Sequence, residues 1–240
     1  MAIRIALIAV GGKGSRMGRS DVQKCLIPIE GKPILEYAID SLVTSGIKCI
    51  ILLTGHLHAQ VSAYLASRAP QGECVLGSVY GGTEGETQAI CRLRPFLQED
   101  FLYTVGDCIF PTETFAEVIA EGERHPASAA VMCVSARRGV APTHSRVITS
   151  RSRRAQKVIP ATTKSSARLI TMGVYVFRPL AFDFLAKVPP HGHVSAFVPH
   201  AIAAGQHTGV SVVRGPWFCF HTEEDIGRWS SSPLKRFLNL

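Results

Sequence analysis

The sequence predicts an α/β protein built on a parallel, doubly wound sheet. Two observations carry this reading. Short aliphatic and β-branched runs alternate with amphipathic segments through the first 105 residues. The clearest apolar runs also end in small residues, at Gly11-Gly12, Thr54-Gly55 and Gly106-Asp107. Ligands of such sheets collect at the carboxyl ends of the strands, so these three ends are expected to converge.

The elements follow in order. Ile5–Val10 is a buried-strand pattern broken by glycines. Ile34–Ser45 reads as a helix stopped by Gly46. Ile47–Leu53 is a second apolar strand, and His58–Ser67 an amphipathic helix with Val61, Tyr64 and Leu65 on one face. Cys74–Val79 reads as a third strand, Gly85–Leu97 as a helix and Phe101–Val105 as a fourth strand. The second half is less regular. Ala129–Val134, Val147–Thr149, Leu169–Phe177, Val210–Val213 and Trp217–Phe220 read as strands, and Arg151–Arg154 as a charged turn. Phe182–Leu185 and Val198–Ala204 read as short helices, the second stopped by Gly205. From Trp229 onward a basic amphipathic end reads as a peripheral helix or a frayed tail.

Bulk properties narrow the class. The 240 residues are 46% hydrophobic, enough for a sizeable core, yet no apolar stretch reaches membrane-spanning length. The N-terminal apolar run is too short for a signal peptide, so a cytoplasmic protein with no membrane partner is expected. Seven cysteines, an odd number without a C-x-x-C, argue against a disulfide framework and fit a reducing compartment. The formal charge is +8, and the densest basic run, Arg146 to Lys157, lacks interleaved aromatics. That run does not resemble a stacking platform, and no nucleic-acid partner is expected.

The stretch that organises the chain is its start. Gly11-Gly12-Lys13-Gly14-Ser15-Arg16-Met17-Gly18 follows the first strand, and Lys24 follows the turn. Glycines let backbone N–H groups approach an anion, and Arg16 and Lys24 add positive charge beside them. This describes a place for a polyphosphate. It is not the P-loop, which needs a glycine where Arg16 stands. The dinucleotide fingerprint fits at Gly12-Lys13-Gly14 but misses at Met17. A dinucleotide-dependent oxidoreductase therefore remains only a distant rival.

The whole stretch resembles the N-terminal signature of the sugar nucleotidyltransferases, or NDP-sugar pyrophosphorylases. Their pattern is a strand, G-x-G-[ST]-R-[LM], a gap, P-K-x-L-x-P-[VI]-x-G-[KR]-P, and an apolar helix with E-Y or E-H. Gly12, Gly14, Ser15, Arg16 and Met17 match it, then Lys24, Leu26, Pro28, Gly31, Lys32, Pro33, Glu36 and Tyr37. Gln23 stands where the family usually has proline. Residues 46–57 match the family's second strand, Gly85 to Ala89 resemble its base-reading loop, and Gly173 to Phe177 match its G-[IV]-Y-x-F strand.

The resemblance covers nearly the whole chain and implies a Rossmann-like three-layer sandwich with a mostly parallel mixed sheet in a single nucleotidyltransferase domain. The expected extents are residues 1–228, with a nucleotide-binding half at 1–110, a sugar-binding half at 111–228, and a tail at 229–240. The implied reaction joins a nucleoside triphosphate to a sugar 1-phosphate, giving an NDP-sugar and pyrophosphate. Positioning and charge neutralisation carry such a reaction. Arg16 is expected to hold the leaving phosphates, and Lys24 to neutralise the α-phosphate. Val10, Gly11, Gly12, Gly14 and Ser15 are expected to line the triphosphate, and Tyr80, Gly85 and Gln88 the base. Gly106, Gly173 and Tyr175 are expected on the sugar. Asp107, following a strand and a glycine, is the expected ligand of Mg²⁺. A homo-oligomer stays open.

Two departures stand out. The family usually supplies a second metal aspartate from W-x-D-x-G-T-x-E-D. Here Cys219 occupies the aspartate position and His221 the glycine. A thiol is a soft ligand and suits Mg²⁺ poorly. Three explanations remain open: Asp107 and phosphates hold the metal alone, a shifted acid such as Glu223 replaces the missing one, or the chain binds nucleotide and turns over poorly. A zinc pair of Cys219 and His221 lacks further ligands. The family's Glu-Lys-Pro before Gly173 is also blurred, leaving Lys157 or Lys164 as the cation.

Overall fold

A computed structural model describes residues 3–68, 72, 74–82, 84–136 and 144–240. In chain order the elements are β1 (Ile5–Ala9), β2 (Pro28–Ile29), β3 (Lys32–Pro33), α1 (Ile34–Thr44), β4 (Cys49–Thr54), α2 (His58–Ser67), β5 (Val75–Tyr80), α3 (Glu86–Arg92), β6 (Phe101–Val105), β7 (Cys108–Ile109) and α4 (Thr112–Arg124). They continue with β8 (Ala130–Ser135), β9 (Arg146–Thr149), β10 (Ala155–Ile159), β11 (Leu169–Phe177), α5 (Phe182–Leu185), α6 (Phe197–Ala203), β12 (Thr208–Val213), β13 (Phe218–Cys219), α7 (Glu223–Trp229) and α8 (Pro233–Phe237). The chain forms two compact units. One gathers residues 4–83, 104–115 and 215–240, and the other 1–3, 84–103 and 116–214.

The unit that opens with β1 has a parallel sheet. β4 lies between β1 and β5, with Ile5 opposite Cys49 and Thr54 opposite Tyr80. Ala6, Leu7 and Ile8 are wholly buried, as a strand covered on both faces requires. Helix α1 buries Ile34, Leu35, Ala38, Ile39 and Leu42, one face at helical spacing. Its end is a Schellman closure: Gly46 N–H donates to Val43 O and Ile47 N–H to Leu42 O, with Gly46 at φ 93°. β2 and β3 form a tight hairpin through Glu30 and Gly31, both at positive φ.

A satellite core in this unit joins Met17, Ile27, Ile29, Ile34, Tyr37, Ile109, Phe220, Trp229 and Leu234. Met17 thereby pins the glycine turn, and the last residues pack rather than trail. Ser232 caps α8 by accepting from Leu234 N–H, and Trp229 Nε1 and Lys235 Nζ both donate to Glu30 Oε1, at 3.2 and 2.5 Å. Burying Trp229 and Leu234 contributes about 2 kcal/mol each.

The other unit is mainly antiparallel. β11 pairs antiparallel with β6, β8 and β9, β9 with β10, and only β12 runs parallel to β8. The expected division at residue 110 assigns 84–103 to the first half. In the structure Tyr175, Val176 and Phe177 of β11 pair with Tyr103, Leu102 and Phe101, which holds these residues with 116–214. Phe101, Tyr103, Tyr175, Phe177, Phe182 and Phe197 form an aromatic core. Helix α3 is shorter than expected because Pro95 follows and disfavours helical backbone at Arg94.

Candidate active site

The glycine turn is shaped by close packing. Val10 N–H donates to Leu53 O, and Gly11 O accepts from His56 N–H at 3.1 Å. A Cβ on Gly11 would lie 2.9 Å from Gly55 N, and one on Gly55 2.9 Å from Gly11 O, so two backbones touch where β1 and β4 end. Gly14 and Gly18, at φ 61° and 66°, bracket a short 3-10 turn over Ser15–Met17. Left-handed backbone at both ends is what glycine supplies cheaply. Ser15 and Arg16 are exposed while Met17 is buried, so Arg16 projects from an anchored turn. Gly12 is open, with nothing within 4 Å of an added Cβ.

Asp107 faces this turn. Gly106 N–H donates to Ala9 O at 2.9 Å, and a Cβ on Gly106 would come within 2.6 Å of Val10 Cγ1. Gly106 therefore allows the chain carrying Asp107 to lie against the end of β1. Lys24 Nζ donates to Asp107 Oδ2, and His221 Nδ1 lies 3.8 Å from the same oxygen. Burial alone would raise the Asp107 carboxyl. The Lys24 charge, and behind it His221, outweigh burial and hold it below the usual carboxylate range. Burial also lowers the His221 imidazole, with Asp107 opposing and Lys24 and Arg16 reinforcing the shift. Arg16, Lys24, Asp107 and His221 thus form one electrostatic group.

The cysteine expectation is corrected here. Cys108 and Cys219 face each other across the β7–β13 pair and are joined as a disulfide. The separation of 111 residues hides such a bond from sequence reading. Cys219 is therefore paired with Cys108 and is no free thiol. Glu223, the shifted acid considered above, accepts from Arg19 at 2.7 Å on the surface. Asp225 caps α7, accepting from the backbone N–H groups of His221 and Thr222. Both acids weighed for Mg²⁺ lie near the glycine turn: Glu223 Oε2 comes within 3.8 Å of a Cβ placed on Gly18, and Asp107 pairs with Lys24. One carboxylate with phosphate oxygens and water suits Mg²⁺, and the affinity of Asp107 for a cation is visible in its pairing with Lys24.

The other expected residues are placed as follows. Tyr80 is 56% exposed at the end of β5, its ring 5.1 Å from His58. In the second unit, Gly85 has φ 127°, and a Cβ there would strike His191 N at 2.6 Å. Gln88 donates to Val188 O at 3.0 Å and accepts from Thr87 Oγ1. Gly173, at φ 76°, lies where the β11 register shifts. Tyr175 is buried, with its ring 5.2 Å from Phe177, and burial pushes its hydroxyl up. Sequence reading did not assign Gln23 or His221 to the site. The available signal was Gln23 standing, just before the key lysine, where the resembling family has proline.

The model of the MobA-like NTP transferase domain matches residues 6–213. The chain belongs to this family. Among its relatives, the bifunctional protein GlmU of Exiguobacterium sp. is 28% identical over 243 residues, covering 93% of the chain and 49% of the relative. A UTP–glucose-1-phosphate uridylyltransferase of Synechocystis sp. is 23% identical, covering 75% and 50%. The chain thus spans about half the length of these two relatives. The uridylyltransferase AglF of Haloferax volcanii is also 23% identical, with 82% and 81% covered. The NTP transferase fold is shared with the inositol-1-phosphate CTP transferase of T. maritima, at a TM-score of 0.79 and 18% identity over 94% of this chain and 92% of that one. It is shared likewise with a UDP-glucose pyrophosphorylase complexed with UDP-glucose, at a TM-score of 0.80 and 14% identity over 95% and 99%. The fold is the mixed α/β class expected from the sequence. Among the described residues, no helix is long and apolar enough to cross a membrane.

Proposed function

We propose that this protein transfers a nucleotidyl group from a nucleoside triphosphate to a sugar 1-phosphate, releasing pyrophosphate. The observation that carries the reading is the Lys24–Asp107 pair beside the glycine turn. A cation and a carboxylate beside open backbone amides match the demands of phosphoryl chemistry, in which charge on the α-phosphate must be neutralised. Residues 11–15 cradle the phosphates through backbone N–H groups. Arg16 takes the leaving β- and γ-phosphates, and Lys24 turns from Asp107 toward the α-phosphate. Asp107 would hold Mg²⁺, which would supply charge neutralisation at the phosphates. Roles for Tyr80, Gly85 and Gln88 toward the base, and for Gly106, Gly173 and Tyr175 toward the sugar, rest on the family resemblance. The expected place of action is the cytoplasm, where triphosphates are at hand.

The test is pyrophosphate release over a panel of five triphosphates against several sugar 1-phosphates. One pair should turn over far faster than the rest. Tight triphosphate binding without release in any combination would overturn the enzyme reading.

A further inference from the structure

We propose that Gln23 is a positioning residue that sets where Lys24 stands relative to the glycine turn. The proposal rests on the nucleotidyl-transfer reading for its consequence, although its geometry stands alone. Gln23 is 2% exposed and lies immediately before Lys24. Its side-chain amide donates twice, to Val10 O at 2.7 Å and to His56 O at 2.8 Å. Val10 directly follows β1, and His56 lies just beyond β4. One amide therefore ties both strand ends to the residue that carries Lys24.

The backbone of Gln23 is held as well. Its N–H donates to Gln60 Oε1 at 2.8 Å, and Gln60 Nε2 donates to Asp21 O at 2.6 Å. Its carbonyl accepts from Leu26 N–H, closing the turn that contains Lys24. Gln23 thus has its N–H, its carbonyl and its side-chain amide all committed. A buried carbonyl without a donor is costly, and the buried bond to Val10 O and the part-buried bond to His56 O both come from this amide. The proline common in the resembling family at this position has neither an N–H nor a side-chain amide. In this chain the lysine is therefore located by a hydrogen-bonded tether rather than by a rigid ring. The tether fixes Lys24 within reach of Asp107, and a small displacement of such a group lowers the rate steeply.

The experiment uses the whole chain and two readouts. Competitive acetylation with acetic anhydride, read by mass spectrometry, reports the accessibility of Lys24 against Lys187 and Lys235 as internal references. Steady-state kinetics report kcat and KM for each substrate. In Gln23→Leu, which keeps the bulk and removes the amide, Lys24 labelling should rise at least threefold with the references unchanged. In the same variant kcat should fall at least tenfold, with KM for the sugar phosphate unchanged. Leu42→Ala, a core change in the same unit, should lower Tm without moving Lys24 labelling or kcat. If Gln23→Leu does not fold, Gln60→Ala removes only the backbone half of the tether, and should raise Lys24 labelling in the same direction by less. Unchanged Lys24 labelling in Gln23→Leu, or in Gln60→Ala where that variant stands in, overturns the proposal. Because labelling needs no turnover, failure of the proposed reaction would leave this result readable.

Discussion

The ammonium of Lys24 and the carboxylate of Asp107 are hydrogen-bonded across 83 residues of chain. Both side chains are mostly buried, at 14% and 21% exposure, so water screens the pair only in part. Each group holds the other in place.

That pairing has a pH signature. The folded Asp107 pKa is depressed below its unfolded value. Its stabilisation is complete above the ordinary aspartate value of ~4 and is lost as pH falls through the lower folded value. Unfolding free energies from urea titrations between pH ~7 and ~3 should fall on the acid side, by at most about 1 kcal/mol from this pair. Asp107→Asn should flatten that part of the profile. An unchanged acid limb would mean that the pair contributes nothing.

Arg16 should matter to rate and not to stability. Its side chain is exposed and stands on a turn anchored by Met17. Arg16→Ala should reduce turnover more than tenfold, about 2–4 kcal/mol of transition-state stabilisation, with Tm unchanged. Pyrophosphate release and thermal melting on the same preparation decide it. Equal rates would remove Arg16 from the reaction.

The two glycines of the turn should separate cleanly. Gly11→Ala places a Cβ 2.9 Å from Gly55 N and 3.2 Å from Gly55 Cα, so backbone must move, at a cost of about 2 kcal/mol. Gly12→Ala meets nothing within 4 Å and should be within about 0.5 kcal/mol of the parent. Denaturant titration of both variants checks this pair. Equal losses would refute the packing account.

The disulfide predicts an alkylation count. Denatured without reductant, the oxidised protein should leave Cys108 and Cys219 unlabelled, and reductant should expose both. Chain-entropy arguments assign a loop of this length about 4–5 kcal/mol, so Cys219→Ser should lower the denaturation midpoint of the oxidised form substantially. Labelling of all seven cysteines without reductant would exclude the bond in solution.

Much of the site is legible in the sequence because it is local. Gly11 to Met17 and Gly106-Asp107 each follow an apolar run directly, Lys24 comes a few residues after the first of them, and strand ends are where such sheets place chemistry. What escaped depends on distant pairing. Cys108 meets Cys219 only after β7 and β13 have been brought together, and an odd cysteine count gave no hint of it. Helix α4 was missed although Phe115 and Val118 are fully buried at helical spacing. Its Gly122 weakens the helical signal. That glycine is explained by β11, where an added Cβ would lie 3.2 Å from Val176 Cγ1. Gln23 looked like a missing proline, and its partners Val10 O and His56 O are visible only in three dimensions.

The bond between Cys108 and Cys219 also closes the polypeptide into a ring. Residues 116–214, most of the second unit, hang within that ring as an inserted segment whose two ends are stapled together. A protease that nicks any bond there would leave both fragments travelling as one molecule on a gel run without reductant. The same cut would release two pieces once the sulfurs part, so an oxidised preparation can carry internal breaks that its apparent mass conceals.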